Sequence, residues 1–252
     1  MTRPSLAVDS VPLGVILNLR DEYRREMNCQ IVHDSWHVRG FTDSYALYVN
    51  GEIVGYGSVG SPGQERDTIK EFFLKPRARA SALPLFRELA SRSGARIVEA
   101  QTNDLLLMLM LYDTSVDLTS ETILFADTMT TRHAPPGAVF RPVTAADRAR
   151  MFPHAIEPVG DWGLEADGAI AATGGLFFHY NPPYGDLYME VSAPYRGRGF
   201  GTYLVQELKR VCREMDCRPS ARCSADNPAS RRALERAGML PCARIVRGRL
   251  AV

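Results

Sequence analysis

The chain has almost no lysine: of its 30 basic residues only Lys70, Lys75 and Lys209 are lysine, and the rest are arginine. With 29 acidic residues the formal net charge is +1, so no bulk charge draws it to nucleic acid or to an acidic membrane. Long apolar runs are also missing. The longest, residues 105–112, falls far short of the roughly 20 residues that span a bilayer. Near the start, the run Val15-Ile16-Leu17 is short and sits among Pro12, Gly14 and Asn18, so no secretory leader is read there. The five cysteines (Cys29, Cys212, Cys217, Cys223 and Cys242) are odd in number and form no Cys-x-x-Cys pair. That usage implies reduced thiols in a cytoplasm and no zinc or other metal site. What remains is an apolar fraction of 45%, ample for a core, in 252 residues that suit one large domain or two of ordinary size.

One segment carries specific chemistry. Residues 187–191, LYMEV, read as a buried strand. Leu204, Leu208, Val211, Cys212 and Met215 recur at helical spacing over residues 202–215. Between them stands Arg196-Gly197-Arg198-Gly199-Phe200-Gly201. A glycine-rich turn from strand to helix leaves backbone N–H groups free and aims a helix N-terminus at one point, which favours a phosphate or pyrophosphate. Arg196 and Arg198 add charge-assisted donors to the same turn. It is not a P-loop, because Gly199-Phe200-Gly201-Thr202 has no lysine. Nor is it a dinucleotide fingerprint, because the third glycine comes one place early.

The turn resembles the coenzyme loop of the GNAT acyltransferase superfamily, Arg/Gln-x-x-Gly-x-Gly/Ala after a strand. Val191-x-x-Pro194-x-Arg196-Gly197-x-Gly199-x-Gly201 matches that pattern. A second signature follows in order, Asn227-x-x-Ser230-x-x-x-Leu234-x-x-x-Gly238-Met239. The resemblance covers residues 139–252. It implies an α/β fold and an N-acetyltransferase that moves an acetyl group from acetyl-CoA, its cosubstrate, to a primary amine of a small molecule or protein.

Residues 128–137, TMTTRHAPPG, lack apolar periodicity and read as a linker. They divide the chain into an N-terminal domain (1–130), a linker (131–137) and a C-terminal domain (138–252) with similar element order. The C-terminal half reads as strand 140–143, helix 145–152, a hairpin of 162–165 with 169–179, the strand, turn and helix above, a strand at Arg222-Cys223-Ser224, helix 228–237 and a closing strand 245–250. The N-terminal half repeats this with a hairpin of 45–49 and 53–59 around Asn50-Gly51, strand 69–74, helix 82–91, strand 96–100, helix 105–112 and strand 123–127. Its counterpart of the glycine turn, Lys75-Pro76-Arg77-Ala78-Arg79-Ala80, has no glycine and keeps backbone away from a pyrophosphate. The expected architecture is therefore two GNAT-like domains, each a mixed, mostly antiparallel twisted sheet flanked by helices, the first degenerate. The other reading of the first half is an unrelated α/β domain.

The resemblance gives each motif residue a role. Arg196, Gly197, Arg198, Gly199 and Gly201, with Thr202 in the first helical turn, would hold the pyrophosphate. Backbone groups of Val191 and Ala193 would pair with the pantetheine arm, and the Val191 N–H would face the thioester oxygen, where charge develops during attack. Asn227 would bond the pantetheine with Ser230 beside it; Asn227 also reads as the N-cap of a helix opening on Pro228. In many relatives a tyrosine seven residues after the asparagine protonates the thiolate. Here that position is Leu234.

The general base is expected at Glu190, an acidic residue in an otherwise apolar strand. The same residue also reads as an outward-facing side chain or an ion-pair partner. Asp186, Glu157, Asp161 and His179 are the other candidates. The aromatic segment 177–184 is expected to border the acceptor site or to pack against the first half. A non-catalytic acyl-CoA sensor or scaffold is the rival reading, motivated by Leu234 and by the degenerate half. The amine and the oligomeric state are not legible.

Overall fold

The computed structural model describes residues 4–251 except 62, 64 and 66. The chain forms two compact units: Met1–Glu121 with Ala243–Val252, and Thr122–Cys242.

In the first unit, β1 (Leu6–Val11), β2 (Thr42–Val49), β3 (Glu52–Gly60) and β4 (Thr68–Leu74) pair antiparallel in sequence order, and β5 (Ile97–Gln101) lies parallel to β4. Val49 faces Glu52 across a two-residue turn in which Asn50 and Gly51 both have positive φ, the type I′ geometry that Asn-Gly favours. The β4–β5 pairing is confined to Thr68 and Ile69, so the two strands part beyond it. Three helices accompany the sheet: α1 (Leu17–Glu26), α2 (Ala82–Ser93) and α3 (Leu105–Thr114). On α2, Ala82, Leu85, Phe86 and Leu89 are buried at i, i+3, i+4 and i+7, against Phe72 and Leu74 of the core. β1 and α1 have no counterpart in the sequence reading.

The second unit has β7 (Val139–Pro142), α4 (Ala145–Ala149), β8 (Trp162–Ala166), β9 (Ala169–Phe177), β10 (Tyr184–Val191), α5 (Phe200–Glu214), β11 (Arg218–Ser224) and α6 (Pro228–Arg236). β7, β8, β9 and β10 pair antiparallel in sequence order, and β11 is parallel to β10 over Tyr184, Gly185 and Asp186 alone. Its core joins Leu164, Leu187, Phe200, Leu204, Leu208, Ala221, Leu234 and Met239. Each unit is thus a mostly antiparallel sheet with one parallel pair that opens into a fork, the GNAT arrangement the sequence implies.

The division differs from the sequence reading in two places. β6 (Ser115–Asp127) contributes residues 122–126 to the second unit, antiparallel to β11, whereas β12 (Met239–Leu250) contributes residues 245–249 to the first, antiparallel to β5. Strand pairing, a non-local term, places these segments. Nor is 131–137 a free tether. Gln206 on α5 donates to the His133 carbonyl (2.9 Å) and accepts from the Thr131 hydroxyl (2.9 Å). Buried Lys209 donates to the carbonyls of Met129 (2.7 Å) and Ala237 (2.6 Å). The helix expected over 145–152 stops at Ala149, where Arg150 leaves helical backbone at φ −121° and ψ 20°.

The first unit carries a pH-sensitive cap. Asp104 is 5% exposed and caps α3 by accepting from the Leu107 N–H (3.1 Å) while Tyr23 donates to it (2.9 Å). Burial, only partly offset by these bonds, raises its carboxyl from 3.8 to about 6. A carboxyl raised on folding adds stability at low pH, and that stability is lost as pH rises from about 4 through about 6. The span corresponds to about 3 kcal/mol. Asp104→Asn keeps a capping oxygen without the charge. Urea titrations are expected to show the variant gaining on wild type as pH rises from 4 to 7; a constant difference would refute the assignment.

Candidate active site

The fork between β10 and β11 opens into a cleft of about 610 Å³, in the range of small-ligand sites. Its floor is Met189, Glu190 and Val191, one wall is Arg196, Gly197, Gly199, Gly201 and Thr202, and the other is Asn227, Ser230, Arg232 and Arg236 of α6. Antiparallel pairing sets the direction of the floor's backbone. The Ser192 N–H donates to the Ala171 carbonyl (2.9 Å), and because bonded positions alternate, the N–H and C=O of Val191 point away from β9 into the fork. The Val191 carbonyl is engaged by Arg196 Nε at 3.0 Å, which ties the turn to the strand end.

At the turn, Gly199 stands at the N-cap of α5 with φ 89°, a conformation in which other residues are strained. No backbone hydrogen bond among the described residues uses the N–H of Gly197, Arg198 or Gly199, and the first helical turn adds Phe200, Gly201 and Thr202. The result is a concave row of donors at the positive end of a 15-residue helix, suited to a pyrophosphate. Gly201 permits close packing: a Cβ there would lie 3.3 Å from Met189.

Most of the motif residues meet in this cleft: Glu190, Val191, Arg196, Gly197, Gly199, Gly201, Thr202, Asn227 and Ser230. Ala193 and Arg198 do not line it. Arg198 lies over the rings of Tyr195 (5.2 Å) and Phe200 (5.6 Å). Asn227 Oδ1 accepts from the Ser230 N–H (3.0 Å), so the N-cap reading holds, and its amide nitrogen is left to donate to a ligand. Arg232 and Arg236 were not singled out from sequence. Their signal is the i, i+4 spacing that puts them on one face of α6 with Ala229 and Ala233.

Glu190 lines the cleft with its carboxylate engaged by backbone. Its Oε1 accepts from the Ala155 N–H (3.0 Å), and its Oε2 accepts from Ile156 (3.2 Å) and Glu157 (3.1 Å). Burial raises this carboxyl, but the three backbone donors outweigh burial and hold it below the ordinary glutamate range. A carboxylate so satisfied is a weak proton acceptor, and its contacts make it the clamp of the segment 155–157. Asp186 and His179 are outside the cleft lining and face each other, Nε2 to Oδ2 at 2.9 Å. The aromatic segment 177–184 also stays off the lining, with Phe177 stacked on Tyr188 at 4.2 Å. Leu234 is 4% exposed and part of the core, and Tyr195, the tyrosine that lines the cleft, donates to the Ala166 carbonyl (3.2 Å).

The first unit has the same frame without the opening. Arg79 Nε donates to the Leu74 carbonyl (3.1 Å) and the Lys75 N–H to that of Val54 (2.8 Å), as Arg196 and Ser192 do in the second. Here Arg79 is held by Glu26 of α1 (2.6 Å), and Tyr23 of α1 reaches the α3 cap. What is left is a hollow of about 90 Å³.

The fold has counterparts among known proteins. Residues 129–239 match the Acetyltransferase (GNAT) family model, and this segment is a GNAT acetyltransferase domain. No curated protein matches the chain. Among solved structures, an acetyltransferase of the GNAT family from Colwellia psychrerythraea is similar at TM-score 0.76 and 15% identity, over 97% of this chain and 100% of that one. A tandem GNAT protein from the clavulanic acid biosynthesis pathway superposes at TM-score 0.59 and 14% identity, covering 98% and 99%. A GCN5-related N-acetyltransferase from Sphaerobacter thermophilus gives TM-score 0.58 at 15% identity, over 97% and 95%. At these identities the likeness is one of fold. Among the described residues no helix is long and apolar enough to cross a membrane, and no group of three or more His, Cys, Asp or Glu is placed to hold a metal.

Proposed function

We propose that the second unit transfers an acetyl group from acetyl-CoA to a primary amine of a small molecule or protein. The observation that carries this reading is the row of unpaired backbone donors at the start of α5, facing a cleft whose floor directs the Val191 N–H into the fork. Gly197, Gly199, Gly201 and Thr202 hold the pyrophosphate through backbone, with Arg196 supplying charge. The Val191 N–H donates to the thioester oxygen as charge develops there. Asn227 and Ser230 flank the pantetheine, while Arg232 and Arg236 offer cations to the remaining phosphate. Ala193 and Arg198 support the turn from outside the cleft. Five free cysteines fit a cytoplasmic setting.

The first unit, with its fork filled by Tyr23 and Arg79, is assigned no coenzyme. Calorimetry is therefore expected to give one acetyl-CoA per chain; two equivalent sites would overturn that part. For catalysis, the test is release of free thiol from acetyl-CoA in the presence of primary amines. Stoichiometric binding without release for any amine would favour the sensor, a reading that the buried Leu234 supports by removing the usual acid.

A further inference from the structure

We propose that Glu157 is the residue that takes the proton from the acceptor amine, and that Glu190 is the positioning residue that holds it over the cleft. This rests on the acetyl-transfer reading. Glu157 lines the cleft from the segment after α4, beside Glu190 and Val191 of the floor. Its backbone is fixed there by the 3.1 Å bond from its own N–H to Glu190 Oε2, with Ala155 and Ile156 clamped alongside. Its side chain is half-buried, and no hydrogen bond or ion pair among the described residues engages its carboxylate. Of the two glutamates in the cleft, Glu190 thus spends its oxygens on backbone and Glu157 keeps both free.

The surroundings also suit proton transfer. The charged and titratable groups near Glu157 are Asp186, Tyr188 and Glu190 on β10 and Arg222 on β11. Burial and the negative charges of Asp186 and Glu190 raise the Glu157 carboxyl above its ordinary value, with Arg222 opposing in part. A raised carboxyl is a stronger base when ionised, closer to the pH at which it must work. Glu157 removes one of the three ammonium protons, freeing the lone pair that forms the C–N bond as the C–S bond breaks. A second nitrogen proton goes to the departing thiolate to give free CoA thiol, and Glu157 returns its own to solvent.

Three variants test this: Glu157→Gln, Glu157→Asp and Glu190→Gln, with acetyl-CoA and a panel of spermidine, tyramine, glycinamide and a lysine peptide. Glu157→Gln is expected to lower kcat by about 10²-fold or more and to abolish the acid limb of the pH profile. Glu157→Asp should restore part of the rate together with that limb. Glu190→Gln should lower the rate yet keep the limb, as a loosened but intact base would. Acetyl-CoA affinity should stay within about twofold in all three. Independently of turnover, carbon-13 titration of the Glu157 carboxyl in the free protein should give a midpoint above the ordinary glutamate range, falling in Glu190→Gln as a like charge is removed. Thiol release by wild type matched by Glu157→Gln with the limb intact, or a midpoint at or below that range, would overturn the base and leave acetyl transfer standing. Absence of release by wild type with every amine would overturn both.

Discussion

Gly199→Val is expected to weaken acetyl-CoA binding by about 100-fold or more, corresponding to about 3 kcal/mol, while the protein stays folded. Two effects combine. At φ 89° a β-branched residue is badly strained, so the turn must rearrange and the donor row with it. The branch at Cβ also stiffens the turn, so the donor row has less freedom to recover its shape. A Cβ at this position would lie 2.1 Å from His133 Nε2, but that ring is exposed and can swing aside, so folding costs stay small. Arg196→Ala should be milder, with about tenfold weaker binding as one charge-assisted donor is lost. Arg198→Ala should change affinity by less than about threefold, because its guanidinium lies over Tyr195 and Phe200 outside the cleft. Calorimetric affinities ordered otherwise, above all normal binding by Gly199→Val, would refute the assignment of the turn.

What was legible in the sequence follows from where the chemistry resides. The turn was readable because the role proposed for it belongs to the backbone, and Gly197 and Gly199 have the positive φ that favours glycine. The Asn50-Gly51 hairpin was readable for the same reason, both residues having positive φ. The roles proposed for Glu190 and Glu157 were not, because they depend on a bond across 33 positions. In sequence the two carboxylates look alike, and only the three donors around Glu190 separate a clamp from a base. α1 escaped because its buried face is Leu19, Arg20 and Tyr23, an arrangement without apolar periodicity that is stable only with partners supplied from elsewhere. The exchange of 122–126 and 245–249 between units escaped because strand pairing is a non-local choice that periodicity along the chain does not encode.

Those partners of α1 set the largest expected effect on stability. Glu71 on β4 is fully buried, accepts from the Tyr56 hydroxyl (2.7 Å) and lies near His37 Nε2 (2.9 Å), His33 Nε2 (3.4 Å) and Arg20 Nε (3.5 Å). Burial alone raises this carboxyl; His37 and Arg20, with His33, reverse the effect and hold it well below the ordinary glutamate range. Glu71→Ala would leave Arg20, itself 2% exposed, with Asp34 as its remaining counter-ion, and would strand the Tyr56 hydroxyl and both imidazoles. Breaking a buried network in this way costs about 3–5 kcal/mol, a large part of the roughly 5–15 kcal/mol that holds a domain together. Tm is expected to fall by about 10 °C or more. Glu71→Gln should recover part of the loss, since an amide still bonds Tyr56, but not its pH dependence. A carboxyl depressed on folding adds stability that is present above the ordinary glutamate range and lost as pH falls through the folded value. Wild type should therefore lose stability on acidification relative to Glu71→Gln, in the opposite sense to the Asp104 effect. A loss below about 1 kcal/mol for Glu71→Ala in urea at pH 7 would mean that the cluster is neutral in energy, and that α1 is held by Leu19 and Tyr23 alone.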